Sequence, residues 1–220
     1  MPRRAFLVLL LALTLAACGG GGDAAPVGPS TVYAAIGASD AVGIGATPSS
    51  QGYVPEFARK LDAALGNVTL FNLGENGAWV DDMLADQLPA ALAARPDYVT
   101  VWTGSNDLIG GAEASAFGAK LDQLLGELRK ETDAVVLVGN LVAMTEAPRF
   151  RDGSDPDVTE ERVSAFNLVI EQAAAAHGCV LVRLFDLEVS DDLFWIDGFH
   201  PNNAGHQQLA DAFWAALVTR

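Results

Sequence analysis

Five runs of apolar residues, each followed by a stretch with helical spacing, limit what this chain can fold into. The runs fall at 31–37, 68–73, 97–103, 134–139 and 179–184. Each is rich in Val, Leu, Ile or aromatic residues and lacks polar alternation, the pattern of strands covered on both faces. Helical stretches fall near 52–65, 80–93, 113–131, 158–177 and 203–218. In the last, His206, Leu209, Phe213 and Leu217 recur every three or four residues and form one apolar face. Strand and helix in alternation imply a parallel sheet with helices on both sides. The expected fold class is therefore α/β, three layers with a five-stranded parallel sheet in the order 2-1-3-4-5. The loop 140–157 is its one sizeable insertion.

The chain has 220 residues, half of them apolar, enough for one domain with a substantial core. No period of about 20–50 residues repeats, which argues against a solenoid or propeller. The formal charge of −15 repels phosphate backbones, so no nucleic-acid partner is expected. The opening residues read differently from the rest. Arg3 and Arg4 precede an apolar run, Ala5 to Ala16, too short to span a bilayer as a mature helix. Leu15-Ala16-Ala17-Cys18 follows and resembles the lipobox of bacterial lipoproteins, in which the cysteine becomes the lipidated first residue. An ordinary secretory signal cut at a nearby small residue is the competing reading. The division that results is a signal peptide over 1–17, a Gly/Pro-rich tether over 18–30 and a folded domain over 31–220. Acylation of Cys18 leaves Cys179 without a disulfide partner, as a buried thiol.

Chemistry-bearing residues gather at four places. Ser39 follows the first strand. Gly74 lies in Asn72-Leu73-Gly74-Glu75-Asn76-Gly77 after the second. Asn106 lies in Gly104-Ser105-Asn106-Asp107 after the third. His200 lies in Asp197-Gly198-Phe199-His200-Pro201-Asn202 before the last helix. In a parallel sheet the strand ends emerge at one edge, where ligands bind. A serine hydroxyl needs a base to become a nucleophile, and His200 is the candidate. Asp197, three residues earlier, is placed to hold the far nitrogen of that imidazole. The Ser39 and Gly74 backbone N–H groups and the Asn106 amide are candidate donors to a developing oxyanion.

These four segments resemble the ordered blocks of the SGNH hydrolases, or GDSL-type esterases and lipases. Ser39, Gly74, Asn106 and His200 match the residues that name the family, over about residues 32–218. The resemblance implies a flavodoxin-like fold and a metal-independent serine ester hydrolase with a Ser39-His200-Asp197 triad. The first block departs from the pattern. Gly37-Ala38-Ser39-Asp40 stands where the family has Gly-Asp-Ser-Leu, so the acidic residue follows the serine. Asp40 either holds the nucleophile loop or faces solvent, and the structural role is the expectation. The nucleophile elbow of α/β-hydrolases is a looser match, since those enzymes carry more chain before the serine and a separate acid loop.

Other residues have plainer readings. His206 is read as a packed histidine and His177 as a helix cap. Asp152, Ser154, Asp155 and Asp157 are read as a solvated acidic loop, because they lack the glycine and distal glutamate of an EF-hand. Phe194 and Trp195 either wall an acyl pocket or pack their loop. The expected function is hydrolysis of small acyl esters, of the arylesterase, lysophospholipase or thioesterase kind, by a lipid-anchored protein of the bacterial cell envelope. It would act as a monomer with no cofactor and no metal. A carbohydrate O-deacetylase and a non-catalytic ligand-binding lipoprotein are the alternatives.

Overall fold

The computed structural model describes residues 30–220. The signal segment, Cys18 and all of the tether before Ser30 lie outside the described residues. The chain begins with β1 (Thr31–Gly37) and passes directly into a short helix, α1 (Ser39–Val42). Helix α2 (Tyr53–Leu65) and strand β2 (Val68–Asn72) follow. Then come α3 (Val80–Asp82), a π turn over Met83–Gln87 and α4 (Leu88–Ala94). Strand β3 (Tyr98–Trp102) leads to α5 (Ser105–Ile109) and α6 (Ala114–Glu131). The chain ends with β4 (Val135–Gly139), α7 (Glu160–Ala176), β5 (Val180–Val182) and α8 (Asn203–Val218).

The five strands pair in the order β2-β1-β3-β4-β5, all parallel, as expected. The chain moves outward from β1 to β2, then returns to lay β3 on the other side of β1. The carboxyl ends of β1 and β3 therefore flank the point where the winding reverses, and a crevice opens there. Gly37 pairs with Trp102 at this edge, so the segments after both strands leave side by side.

Successive residues of each central strand point to opposite faces, and each face has its own core. Ala34, Ile36, Val99 and Val101 pack with α6 and α7, where Phe117 stacks on Phe166 at 4.8 Å between ring centres. Tyr33, Ala35 and Leu137 pack with α2 and α8, where Tyr53 stacks on Phe213 at 5.4 Å. Each fully buried ring contributes about 1.5–3 kcal/mol relative to exposure.

Three expectations need correction. The stretch 80–93 is not one α-helix, because the π turn inserts an extra residue and brings Gln87 onto the buried face. The last strand stops at Val182, since Leu184–Asp186 turns into a short 3-10 segment. Strand β2 pairs on one side only and leaves Phe71 exposed, so full coverage applies to the central strands alone.

Candidate active site

The end of β1 is held from the side. The Gly37 N–H donates to Gln87 Oε1 at 2.9 Å, and the Gly37 carbonyl accepts from Gln87 Nε2 at 3.0 Å. Glu75 N–H reaches the same carbonyl at 3.2 Å. These bonds satisfy the last peptide of the strand and fix where α1 begins. Ser39 is the first residue of α1, so its N–H has no acceptor within the helix. Its side chain is almost fully enclosed.

Gly74 sits hard against this turn. A Cβ there would lie 2.6 Å from Ala41 Cβ and 3.0 Å from Val42 N, so no side chain fits. Asn72 ties the two segments together. Its Nδ2 donates to the Ala41 carbonyl at 2.6 Å, and its Oδ1 accepts from Gly74 N–H at 3.1 Å. After β3, Gly104 takes φ 108°, a backbone shape that glycine adopts without strain, and α5 starts at once. One N–H of the Asn106 amide donates to the Ala78 carbonyl at 2.9 Å. Its second N–H is not used in that bond. Next to it, the buried Asp107 carboxylate accepts from Val80 N–H at 3.3 Å. Burial pushes Asp107 up to about 6.

The segment before α8 folds back on itself. Trp195 N–H donates to the His200 carbonyl at 2.8 Å, and Asn202 N–H to the Leu193 carbonyl at 2.9 Å. Asn202 also caps α8, accepting from Ala204 and Gly205 N–H groups. Inside this turn Asp197 Oδ1 accepts from Phe199 and His200 N–H, both at 3.0 Å. Asp197 Oδ2 lies 2.6 Å from His200 Nδ1, and His200 Nε2 lies 2.8 Å from Ser39 Oγ. Partial burial works against ionisation of Asp197. The bond from His200 and the two N–H groups outweigh it and hold the carboxyl below its ordinary value. An ionised Asp197 only accepts, so His200 Nδ1 carries the proton and Nε2 is free to accept from the serine hydroxyl. The arrangement can move the Ser39 proton to His200 while Asp197 steadies the charge that forms.

Ser39, His200, Asp197 and Asn106 thus converge at one edge. Ser39 and Asn106 share a small pocket lined also by Ala38, Asp40, Ala78 and Phe199. Gly74, expected as a third oxyanion donor, packs against the serine turn with its N–H engaged by Asn72, so Ser39 N–H and the Asn106 amide are the donors nearest to hand. Sequence reading missed Gln87 and Asn72. Gln87 carried a signal, as a polar residue in the apolar row formed by Val80, Met83, Leu88 and Ala91.

His206 is fully buried. Tyr53 N–H donates to its Nδ1 at 3.2 Å, so its Nε2 donates to the Ile44 carbonyl at 2.9 Å. Burial, more than the opposing bond to Ile44, lowers its proton affinity. His177 follows α7 and pairs with Asp122 at 2.7 Å. Asp152 and Asp155 accept from Ser154 and Asp157 N–H, two local turns. No cluster of three or more potential metal ligands occurs among the described residues. Burial raises the half-buried Cys179 thiol to about 11. Phe194 lines a cavity beside the site, whereas Trp195 faces outward.

Asp40 departs from expectation. Its carboxylate holds no loop: among the described residues only its own N–H reaches it, and it lines the pocket instead. Desolvation raises Asp40 to about 6, opposed by His200 and its own N–H and assisted by Asp197. The fold therefore favours the neutral carboxyl. The native protein keeps a proton that the unfolded chain, with its ordinary value of 3.8, has released. Stability falls as pH rises through about 4 to 6, and the full cost remains above that window. Asp40→Asn is expected to stabilise the protein by up to about 3 kcal/mol at pH 8 and to change little at pH 4, read from denaturant melts.

The sequence matches the GDSL-like lipase/acylhydrolase family over residues 35–208. The chain belongs to that family. This GDSL-like hydrolase is 27% identical to an acetylxylan esterase of Geobacillus stearothermophilus over 161 residues, 66% of this chain and 70% of the relative. Its fold matches the crystal structure of TesA with a TM-score of 0.72 at 24% identity, covering 85% of this chain and 98% of TesA. It also matches LAE5, an alpha/beta hydrolase enzyme from the metagenome of Lake Arreo, Spain. That match has a TM-score of 0.69 at 25% identity and covers 84% and 94% of the two chains. The GDSL-like hydrolase is therefore an ester hydrolase with a small-molecule ester as substrate.

Proposed function

We propose that this hydrolase cleaves small acyl esters through a Ser39-His200-Asp197 triad. The reading is carried by the unbroken line of bonds from Asp197 Oδ2 through His200 to Ser39 Oγ, at 2.6 and 2.8 Å. Ser39 Oγ attacks the ester carbonyl carbon while its proton passes to His200 Nε2. The carbonyl oxygen takes the negative charge and is met by Ser39 N–H and the second N–H of the Asn106 amide. Gly74 N–H joins them by exchanging its bond to Asn72 for one to the substrate. The tetrahedral centre collapses, the C–O bond to the leaving group breaks, and His200 returns the proton to the departing alcohol. Water then repeats the sequence on the acyl-enzyme. Every proton and charge is handled by these side chains and N–H groups, so the chemistry as written requires no metal or cofactor.

Arylesterase, lysophospholipase and thioesterase-like activities are the first reading of substrate. A carbohydrate O-deacetylase is the second, favoured by the likeness to the acetylxylan esterase. A panel of p-nitrophenyl esters of graded chain length, beside acetylated xylooligosaccharides, separates them. Rates that rise with chain length support the first. Turnover of acetyl esters alone, with release of acetate from the oligosaccharide, supports the second. Hydrolysis of neither rejects both.

Residues 1–17 are proposed as a lipoprotein signal and 18–30 as a tether, leaving a monomeric domain anchored to the cell envelope through Cys18. Support comes from Leu15-Ala16-Ala17-Cys18 behind the basic start and apolar run. Expressed in a bacterium, the full chain is expected in the membrane fraction, with Cys18→Ser blocking its processing. Soluble wild-type protein with an unmodified N-terminus contradicts the anchor.

A further inference from the structure

Beside the small pocket that holds Ser39 and Asn106 lies a larger cavity, and the two share Asp40, Trp102, Ser105 and Phe199. Beyond this neck the walls are mainly apolar, formed by Val142, Leu187, Val189, Leu193, Phe194 and Leu209. Glu188 and Gln208 stand among them, and the Gln208 amide is occupied by the Glu188 carbonyl at 3.1 Å. Among the described residues no basic side chain lines the cavity. In an acyl transfer at Ser39 the alcohol must leave, whereas the acyl group stays bound through the serine. A recess continuous with the carbonyl pocket suits the part that stays.

The neck of this recess carries the Asp40 carboxylate, which among the described residues no other residue bonds. A plain alkyl chain passing it removes the solvent contact that the half-buried Asp40 keeps and returns nothing. A chain with a hydroxyl or amino group near the carbonyl replaces that water with a hydrogen bond to a charged acceptor. We infer that the cavity is the acyl pocket and that Asp40 selects acyl groups bearing a hydrogen-bond donor close to the ester carbonyl, such as 3-hydroxyacyl esters. This rests on the triad reading of Ser39, since it is that serine that holds the acyl group at the neck. The residue that follows the serine thus sets substrate preference without taking part in proton transfer.

The test compares p-nitrophenyl butyrate with p-nitrophenyl 3-hydroxybutyrate at pH 8, in wild type, Asp40→Asn and Asp40→Leu. A hydrogen bond to a charged group corresponds to a preference of about tenfold. Wild type is expected to favour the hydroxyacyl ester by about that factor in kcat/KM. Asp40→Leu is expected to favour the butyrate instead. Asp40→Asn, nearly the same shape, is expected to fall between them and guards against a folding defect in the leucine variant. The same ratio in all three proteins overturns the proposal alone. If neither ester is cleaved and Ser39 takes no fluorophosphonate label, the triad reading fails, and the proposal falls with it.

Discussion

Ser39→Ala and His200→Ala are each expected to lower kcat on the best ester by on the order of 10⁶-fold, and the double variant to lose little more. The reason is geometric. In the proposed mechanism His200 Nε2 takes the proton of Ser39 Oγ, 2.8 Å away, and Ser39 attacks only as that proton leaves. Removing either partner ends both events, so the two losses do not add. Fluorophosphonate labelling is expected at Ser39 in the wild type and in no Ser39→Ala sample. Asn106→Ala offers a contrast within the same site. It leaves the proton path intact and removes one donor to the oxyanion, so kcat is expected to fall by about 10²–10³-fold with KM little changed. Additive losses in the Ser39/His200 double variant would show that the two do not act as one unit.

Asp197→Asn is expected to cost about 10⁴-fold in kcat with the fold intact. An asparagine keeps an oxygen for the Phe199 and His200 N–H groups, so the turn that Asp197 organises survives. Toward the imidazole it presents an NH₂ group in place of an anionic oxygen. His200 Nδ1 must then accept, and Nε2 carries the proton toward Ser39, where a bare nitrogen is required. Unchanged far-UV circular dichroism with the rate lost gives this result. An activity within tenfold of wild type would mean that His200 keeps its tautomer without Asp197.

Much of this was legible in the sequence, for physical reasons. The central strands are buried on both faces, so they read as unbroken apolar runs, and their alternation with helices left few ways to order the sheet. Ser39, Asn106 and His200 stand just beyond strand ends or before a helix, and short connections put them at one edge without long-range knowledge. Asp197 was readable because it stands three positions before His200 in one turn. The break in 80–93 was less accessible. A π turn depends on one inserted residue, and helical periodicity tolerates one misplaced position. The inserted register is what turns Gln87 inward to Gly37. The setting of Asp40 was out of reach, since whether a carboxylate meets a donor, solvent or a cavity is decided by walls contributed from residues 142 to 209.

The direction of the strands has a further consequence. Because all five run the same way, Thr31 starts β1 at the edge opposite Ser39, and α8 runs back from the catalytic turn to end at that same opposite edge. Both ends of the domain therefore leave from its underside. Under the Cys18 proposal the tether would join the domain at the edge opposite the mouth, so the attachment point and the entrance lie on different faces. For the same reason the enzyme can be coupled to a bead or a carrier protein through Arg220 with its entrance left open.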